Sequence, residues 1–268
     1  MLRTKFLWCI MAFFSMFGLK SQESAGSVFI SYGDINPDKI RGYKYVIVES
    51  EHFSSFDVKR LKENNQVVLG YISLGEVSAS RYYFESIKDK TLGKNKVWES
   101  YFLDLSDSDT KNAILGLIQK MDKKGFDGLF LDTVDTFSEW GPYPERGDIL
   151  IEFLAKIKEQ FPDFYLMQNA GLSLLPKSKK YINSVAIESV ASDYSFEAKE
   201  YKIRKSHDFY QKLSMLKSVK SKHDLSIVLI EYADTQKLYN RIKHEIAPLK
   251  WDFFIGNIDL QGMPSFKK

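Results

Sequence analysis

Short, continuous apolar runs recur along the chain, and stretches with helical periodicity lie between them. The runs are Val28 to Tyr32, Tyr45 to Val48, Val67 to Ile72, Leu129 to Asp132, Phe164 to Met167, Ser184 to Glu188, Ile227 to Ile230 and a weaker Phe253 to Gly256. Runs without apolar–polar alternation fit strands covered on both faces. Between them, Ile114, Leu117, Ile118 and Met121 fall on one helical stripe that starts at a cap on Asp107 or Ser108. Gly125 follows that stripe as a helix-ending glycine should. Ile149, Leu150, Phe153, Leu154 and Ile157 form a second stripe that stops before Pro162, and Phe209, Leu213 and Leu216 mark a third. Eight strands alternating with helices in about 240 residues predict an α/β fold, a single-domain (β/α)8 TIM barrel over residues 22–268. An open doubly wound sheet is the competing architecture, but it usually carries a glycine-rich nucleotide loop. Neither G-x-G-x-x-G nor G-x-x-x-x-G-K-[ST] occurs here.

The longest interruption of this pattern runs from Val77 to about Leu105 and carries Arg81, Tyr82, Tyr83, Trp98 and Tyr101. It reads as a substrate wall, as a helix plus a short strand (Tyr101 to Asp104) packed on the barrel, or as both. Lys199 to Lys205 and Lys217 to Lys222 read as solvated helix faces.

The first residues do not fit the barrel period. Arg3 and Lys5 precede an apolar run, Leu7 to Phe17, of signal-peptide length. Residues 1–21 are therefore expected to be a secretory signal and the mature protein secreted or periplasmic, with an uncleaved anchor as the alternative. The only cysteine, Cys9, lies in that run, so the mature chain would hold no disulfide. The formal charge of +3 changes meaning too, because Arg3, Lys5 and Lys20 account for it. The mature chain would be neutral, with no basic patch that argues for nucleic acid. No later segment is apolar enough for stable membrane insertion.

Candidate chemistry gathers where the strands end, since the C-terminal strand ends of a parallel barrel face the active site. Those ends are acidic: Glu49, Glu76, Asp132, Asp135, Glu188 and Glu231, with Asn169 among them. The four histidines, His52, His207, His223 and His244, are scattered, and no metal-binding spacing occurs, so neither a metal nor a cofactor is expected. A G-x-S-x-G elbow is absent, and no predicted strand ends in the lysine that Schiff-base chemistry needs. Carboxylate-pair chemistry remains, in which one acid is ionised, the other protonated, and environment splits their pKa values. Asp132 and Glu188, on the fourth and sixth strands, can reach the roughly 5–9 Å span that covers both outcomes of glycoside hydrolysis.

The stretch Gly70-Tyr71-Ile72-Ser73-Leu74-Gly75-Glu76 resembles glycoside hydrolase family 114, the endo-α-1,4-polygalactosaminidases. So do Gly125 to Gly128, Leu131 to Asp135, Asn169-Ala170-Gly171, Ile187-Glu188-Ser189 and Glu231-Tyr232-Ala233. The hydrolase domain of the Pel polysaccharide system is a more distant relation. Fungal members tend to carry Asp-Asn after the fourth strand, whereas Asp132-Thr133 stands here, as in the bacterial branch. The resemblance implies an enzyme that cuts galactosamine-containing polysaccharide, with Asp132 as nucleophile and Glu188 as acid/base; the residues alone also allow the reverse. It implies cleft contacts for Tyr71, Glu76, Asp135, Trp140, Asn169, Glu231 and Tyr232, with Tyr32 more simply a core residue. A barrel that binds polysaccharide without cutting it, and a barrel with another carboxylate-dependent reaction, are the competing readings.

Overall fold

The computed structural model describes residues 26–268, so the signal-peptide reading of residues 1–21 lies outside the described residues. In chain order the elements are β1 (Val28–Ser31), β2 (Tyr45–Val48), α1 (Ser55–Asn64) and β3 (Val67–Ser73). An excursion follows, made of β4 (Glu76–Ser78), β5 (Thr91–Asn95) and β6 (Ser100–Leu103). Then come α2 (Ser108–Lys124), β7 (Gly128–Asp132), α3 (Gly147–Gln160), β8 (Tyr165–Asn169), the one-turn α4 (Leu175–Ser178) and β9 (Ser184–Glu188). A hairpin, β10 (Ser192–Ser195) and β11 (Glu200–Ile203), precedes α5 (Ser206–His223), β12 (Ser226–Tyr232), α6 (Gln236–Ile246) and β13 (Asp252–Gly256).

Eight strands pair in parallel in the order β1-β2-β3-β7-β8-β9-β12-β13. The sheet curls until β13 lies beside β1, and a bridge from Gly26 to Phe254 fastens that seam. This is the (β/α)8 barrel that the apolar runs predict, strand for strand.

Strand side chains alternate between two faces. One set, including Ile30, Ile47, Leu69, Phe130, Met167, Ala186, Ile230 and Phe254, fills the barrel interior. The other, including Phe29, Val46, Val68, Leu129, Leu131, Val185 and Leu229, packs outward against Ile114, Ile118, Leu150, Leu154 and Leu216 of the helices. Each fully buried Leu, Ile or Phe contributes about 1.5–3 kcal/mol, so the two layers carry the stability of the fold. The end of α2 is set as its glycine implies. Gly125 adopts φ 89°, and its N–H bonds the carbonyl of Asp122 at 2.8 Å.

Two expectations are corrected. The excursion after β3 is a three-stranded antiparallel sheet in the order β4-β6-β5 rather than a helix plus one strand. A bulge at Thr91/Gly93, where Gly93 takes φ 132°, interrupts the alternation that would betray β5. Lys199 to Lys205 is no helix face, because Glu200 to Ile203 pairs antiparallel with β10. Glu200-Tyr201-Lys202-Ile203 alternates polar and apolar, the period of a strand.

Candidate active site

The inward face of each barrel strand continues past its last apolar residue and ends in the mouth. Counting two residues on from Ile30, Ile47, Leu69, Phe130, Met167, Ala186, Ile230 and Phe254 gives Tyr32, Glu49, Tyr71, Asp132, Asn169, Glu188, Tyr232 and Gly256. Three of these, Asp132, Asn169 and Glu188, are the last residues of neighbouring strands β7, β8 and β9. Each is followed by a non-glycine residue in the left-handed region: Thr133 (φ 56°), Ala170 (φ 57°) and Ser189 (φ 53°). That conformation costs of order 1–3 kcal/mol per residue and clusters at functional sites. It turns the chain sharply away and leaves the three side chains side by side.

They form one hydrogen-bonded array. The amide nitrogen of Asn169 donates to Asp132 Oδ1 at 2.9 Å and to Glu188 Oε1 at 2.7 Å. Tyr71 donates to Asp132 Oδ2 at 2.9 Å, and Tyr232 donates to Glu188 Oε2 at 2.5 Å. Each carboxylate is thus held at both oxygens. Because one nitrogen touches both acids, the facing oxygens lie no farther apart than the sum of its two bonds, about 5.6 Å. Two carboxyls serving a retaining hydrolysis stand about 5–5.5 Å apart, and inverting pairs about 6.5–9.5 Å.

Electrostatics separates the members. Glu188 opens to the cleft, yet the walls that crowd it push its pKa upward; its bonds from Tyr232 and Asn169 oppose that, and the charges of Asp132 and Asp135 add to it. Asp135, in the turn Val134–Phe137, is raised by burial and then by Asp132. Burial holds Tyr32, Tyr71 and Tyr232 well above the ordinary phenol value, and Tyr71 and Tyr232 act as neutral donors. Tyr32 packs at a tilt against Tyr71 with ring centroids 4.3 Å apart and lines the cleft, so it belongs to the site as well as to the core.

Asp132, Glu188, Tyr71 and Tyr232 line a cavity of about 960 Å³, whereas Asn169, expected as a cleft contact, is buried off its wall where it joins the two acids. Seven carboxylates line the cavity (Glu49, Glu51, Glu76, Asp132, Asp135, Glu188 and Asp259) against two cations, Arg81 and Lys212. Both cations are engaged. Arg81 pairs with Glu49 at 2.5 Å and Glu51 at 3.5 Å, and Lys212 donates to the Ser189 carbonyl at 3.1 Å. With each cation offsetting one acid, the cavity still keeps an excess of acidic groups. Glu76 faces it from the excursion, accepting from Asn95 at 3.0 Å and from the Ser100 hydroxyl.

Besides Asn169, two expected contacts lie off the cavity wall. Glu231 is wholly buried, so it touches no substrate. Its outward-facing carboxylate accepts from the backbone N–H groups of Val190 (3.1 Å), Ala191 (2.9 Å) and Ser192 (2.7 Å) and from the Ser192 hydroxyl (2.5 Å), tying down the loop that follows Glu188. Trp140 is 88% exposed and stands outside the cavity wall, because the turn after Val134–Phe137 carries it away from the mouth. Sequence reasoning passed over Lys212, Tyr194 and Phe196, which line the cavity from α5 and the hairpin. The alternation Tyr194-Ser195-Phe196 soon after a strand-end acid was the available signal for the hairpin pair.

Residues 26–263 match glycoside-hydrolase family GH114. Among curated proteins the chain is 26% identical over 203 residues to uncharacterized protein MJ1477 of Methanocaldococcus jannaschii, covering 69% of this chain and 58% of that one. It is 24% identical over 142 residues to an uncharacterized protein of Thermotoga maritima, covering 47% and 44%. The chain thus spans about half the length of the curated relatives it matches. Among solved structures it is similar in fold to the glycoside hydrolase domain of PelA from Pseudomonas aeruginosa (TM-score 0.77, 23% identity, 90% of this chain and 98% of that one). It is likewise similar to Aspergillus fumigatus Ega3 in complex with galactosamine (TM-score 0.70, 15% identity, 88% and 93%). With all but a few of its described residues inside the match, the chain belongs to glycoside-hydrolase family GH114.

Proposed function

We propose that this protein is an exported glycoside hydrolase that cuts an amino-sugar polysaccharide within the chain by a retaining, two-carboxylate mechanism. The observation that supports the reading is the single Asn169 amide that joins Asp132 and Glu188, with their facing oxygens no more than about 5.6 Å apart. Glu188, whose crowded setting favours its protonated form, donates its proton to the glycosidic oxygen as the bond to the anomeric carbon breaks. Asp132, gripped by Tyr71 and Asn169, attacks that carbon and forms a covalent glycosyl ester. Glu188, now ionised, takes a proton from water, which attacks the same carbon and releases Asp132. The electronegative cavity favours a substrate with protonated amines, and its volume, at the upper end for ligand clefts, favours several sugar rings over one. The galactosamine bound to the similar Ega3 structure makes an α-1,4-galactosamine polymer the first substrate to try.

The test is reducing-end release from partly deacetylated α-1,4-galactosamine polymer. Asp132→Asn and Glu188→Gln should each lower it by at least about 10³-fold. NMR of the first-formed product should show the anomeric configuration of the substrate. Inversion, or turnover that survives either substitution, would remove the mechanism.

A further inference from the structure

Two excursions leave the barrel beside the cleft, the β4–β6 sheet after β3 and the β10–β11 hairpin after β9, and they meet through exposed aromatic rings. Trp98, in the turn between β5 and β6, and Phe196, in the hairpin turn, pack edge to face with centroids 5.0 Å apart. They remain 60% and 56% exposed, and both line the cavity that holds Asp132 and Glu188. The row continues inward. Phe196 meets Tyr194 edge to face at 5.0 Å, Tyr194 meets Tyr201 at 4.8 Å, and the Tyr201 hydroxyl accepts from the Ile258 N–H at 3.0 Å. A single exposed aromatic needs no explanation, and Trp140 is one. A row of them, carried on two separate insertions and joined across a ligand cavity, is a surface built to be covered.

The chemistry of the cavity says by what. Pyranose rings present flat C–H faces that lie on aromatic rings, and a protonated sugar amine is attracted to the negative face of indole or phenyl. The carboxylates along the same wall favour the same cation. Tyr194, Trp98 and Phe196 take no part in the hydrogen bonds that hold Asp132 and Glu188, so a ring seated on them is bound without being the one attacked.

We infer that Trp98, Phe196 and Tyr194 form an outlying sugar-stacking subsite, with the Trp98–Phe196 contact as a clasp over the polymer on the rim of the cleft. The subsite selects long chains over short ones. The inference rests on the polysaccharide reading given above.

The test uses the full chain carrying Glu188→Gln, so that polymer is bound without being consumed. Isothermal titration compares the α-1,4-galactosamine polymer with its disaccharide in that background and with Trp98→Ala, Phe196→Ala, Trp98→Phe or Trp140→Ala added. Trp98→Ala and Phe196→Ala should each weaken polymer binding roughly 3- to 10-fold and lower the polymer-to-disaccharide affinity ratio. Trp98→Phe keeps an aromatic face for a sugar ring and should recover most of the loss in polymer affinity. Trp140→Ala should change nothing. Equal polymer affinity in the parent and both alanine variants overturns the subsite and leaves the polysaccharide reading standing. No binding of polymer or disaccharide by the parent overturns the reading, and the subsite with it.

Discussion

Asn169 serves both carboxylates through one nitrogen, and its carbonyl oxygen is buried without a hydrogen-bond partner. The amide orientation follows from charge, since the flipped form would point an oxygen at two acids. Leaving a buried acceptor unpaired costs about 1–3 kcal/mol, a cost the fold retains beneath the mouth. The same logic gives a pH prediction for Glu188. The groups facing it are Tyr232 from β12, Asn169 from β8, Asp132 from β7 and Asp135 from the turn after β7. The Tyr232 and Asn169 bonds favour its ionised form, so removing either raises its pKa further. A general acid works while protonated, and the alkaline limb of kcat/KM reports its loss of that proton. Tyr232→Phe and Asn169→Ala should both move that limb to higher pH while lowering kcat. A pH–rate series on the three proteins decides it, and a limb that stays put or moves down would take the acid role from Glu188.

At the scale of elements, what was legible follows from the two-residue period of strands. The apolar runs announced all eight barrel strands because both faces of each are covered. Strand ends alone did not say which way a side chain points. Glu188 and Glu231 look alike in sequence, yet Glu188 shares the inward parity of Ala186, while Glu231 falls between inward Ile230 and Tyr232. Parity counted from the barrel core would have set Glu231 aside. The excursion and hairpin were opaque for another reason. Their strands are short and partly exposed and pair with each other, so barrel periodicity does not extend to them. Glu231 has an element-scale role instead. Glu231→Ala would orphan three buried N–H groups of the loop after Glu188, at about 1–3 kcal/mol each. With roughly 2–4 °C per kcal/mol for a domain of this size, Tm should fall by about 6 °C or more. Glu231→Gln keeps one acceptor oxygen and should lose less. A thermal melt of the alanine variant within a degree or two of the parent would deny Glu231 this anchoring part.

The whole molecule presents its charge unevenly. Residues 22–268 are close to neutral, since the three positives Arg3, Lys5 and Lys20 balance the formal +3, yet the cavity gathers seven carboxylates against two cations. Of those cations, Arg81 is spent on Glu49 and Glu51, and Lys212 lies against a backbone carbonyl, its pKa lowered by burial and then by Arg204. A concave, low-dielectric wall of one sign focuses its field outward and draws a polycation in, and salt screens that attraction over a Debye length of about 10 Å at 0.1 M. On the proposed function, charge recognition would act while the polymer is captured, and the Asn169-held carboxylates after it is bound. Raising NaCl from about 50 mM to about 500 mM should therefore raise KM for the deacetylated polymer roughly threefold or more and leave kcat nearly unchanged. The fully N-acetylated polymer is neutral and should show little salt dependence in KM. If both polymers respond alike, the cavity reads sugar shape and not amine charge, and the acidic wall serves the reacting carboxylates alone.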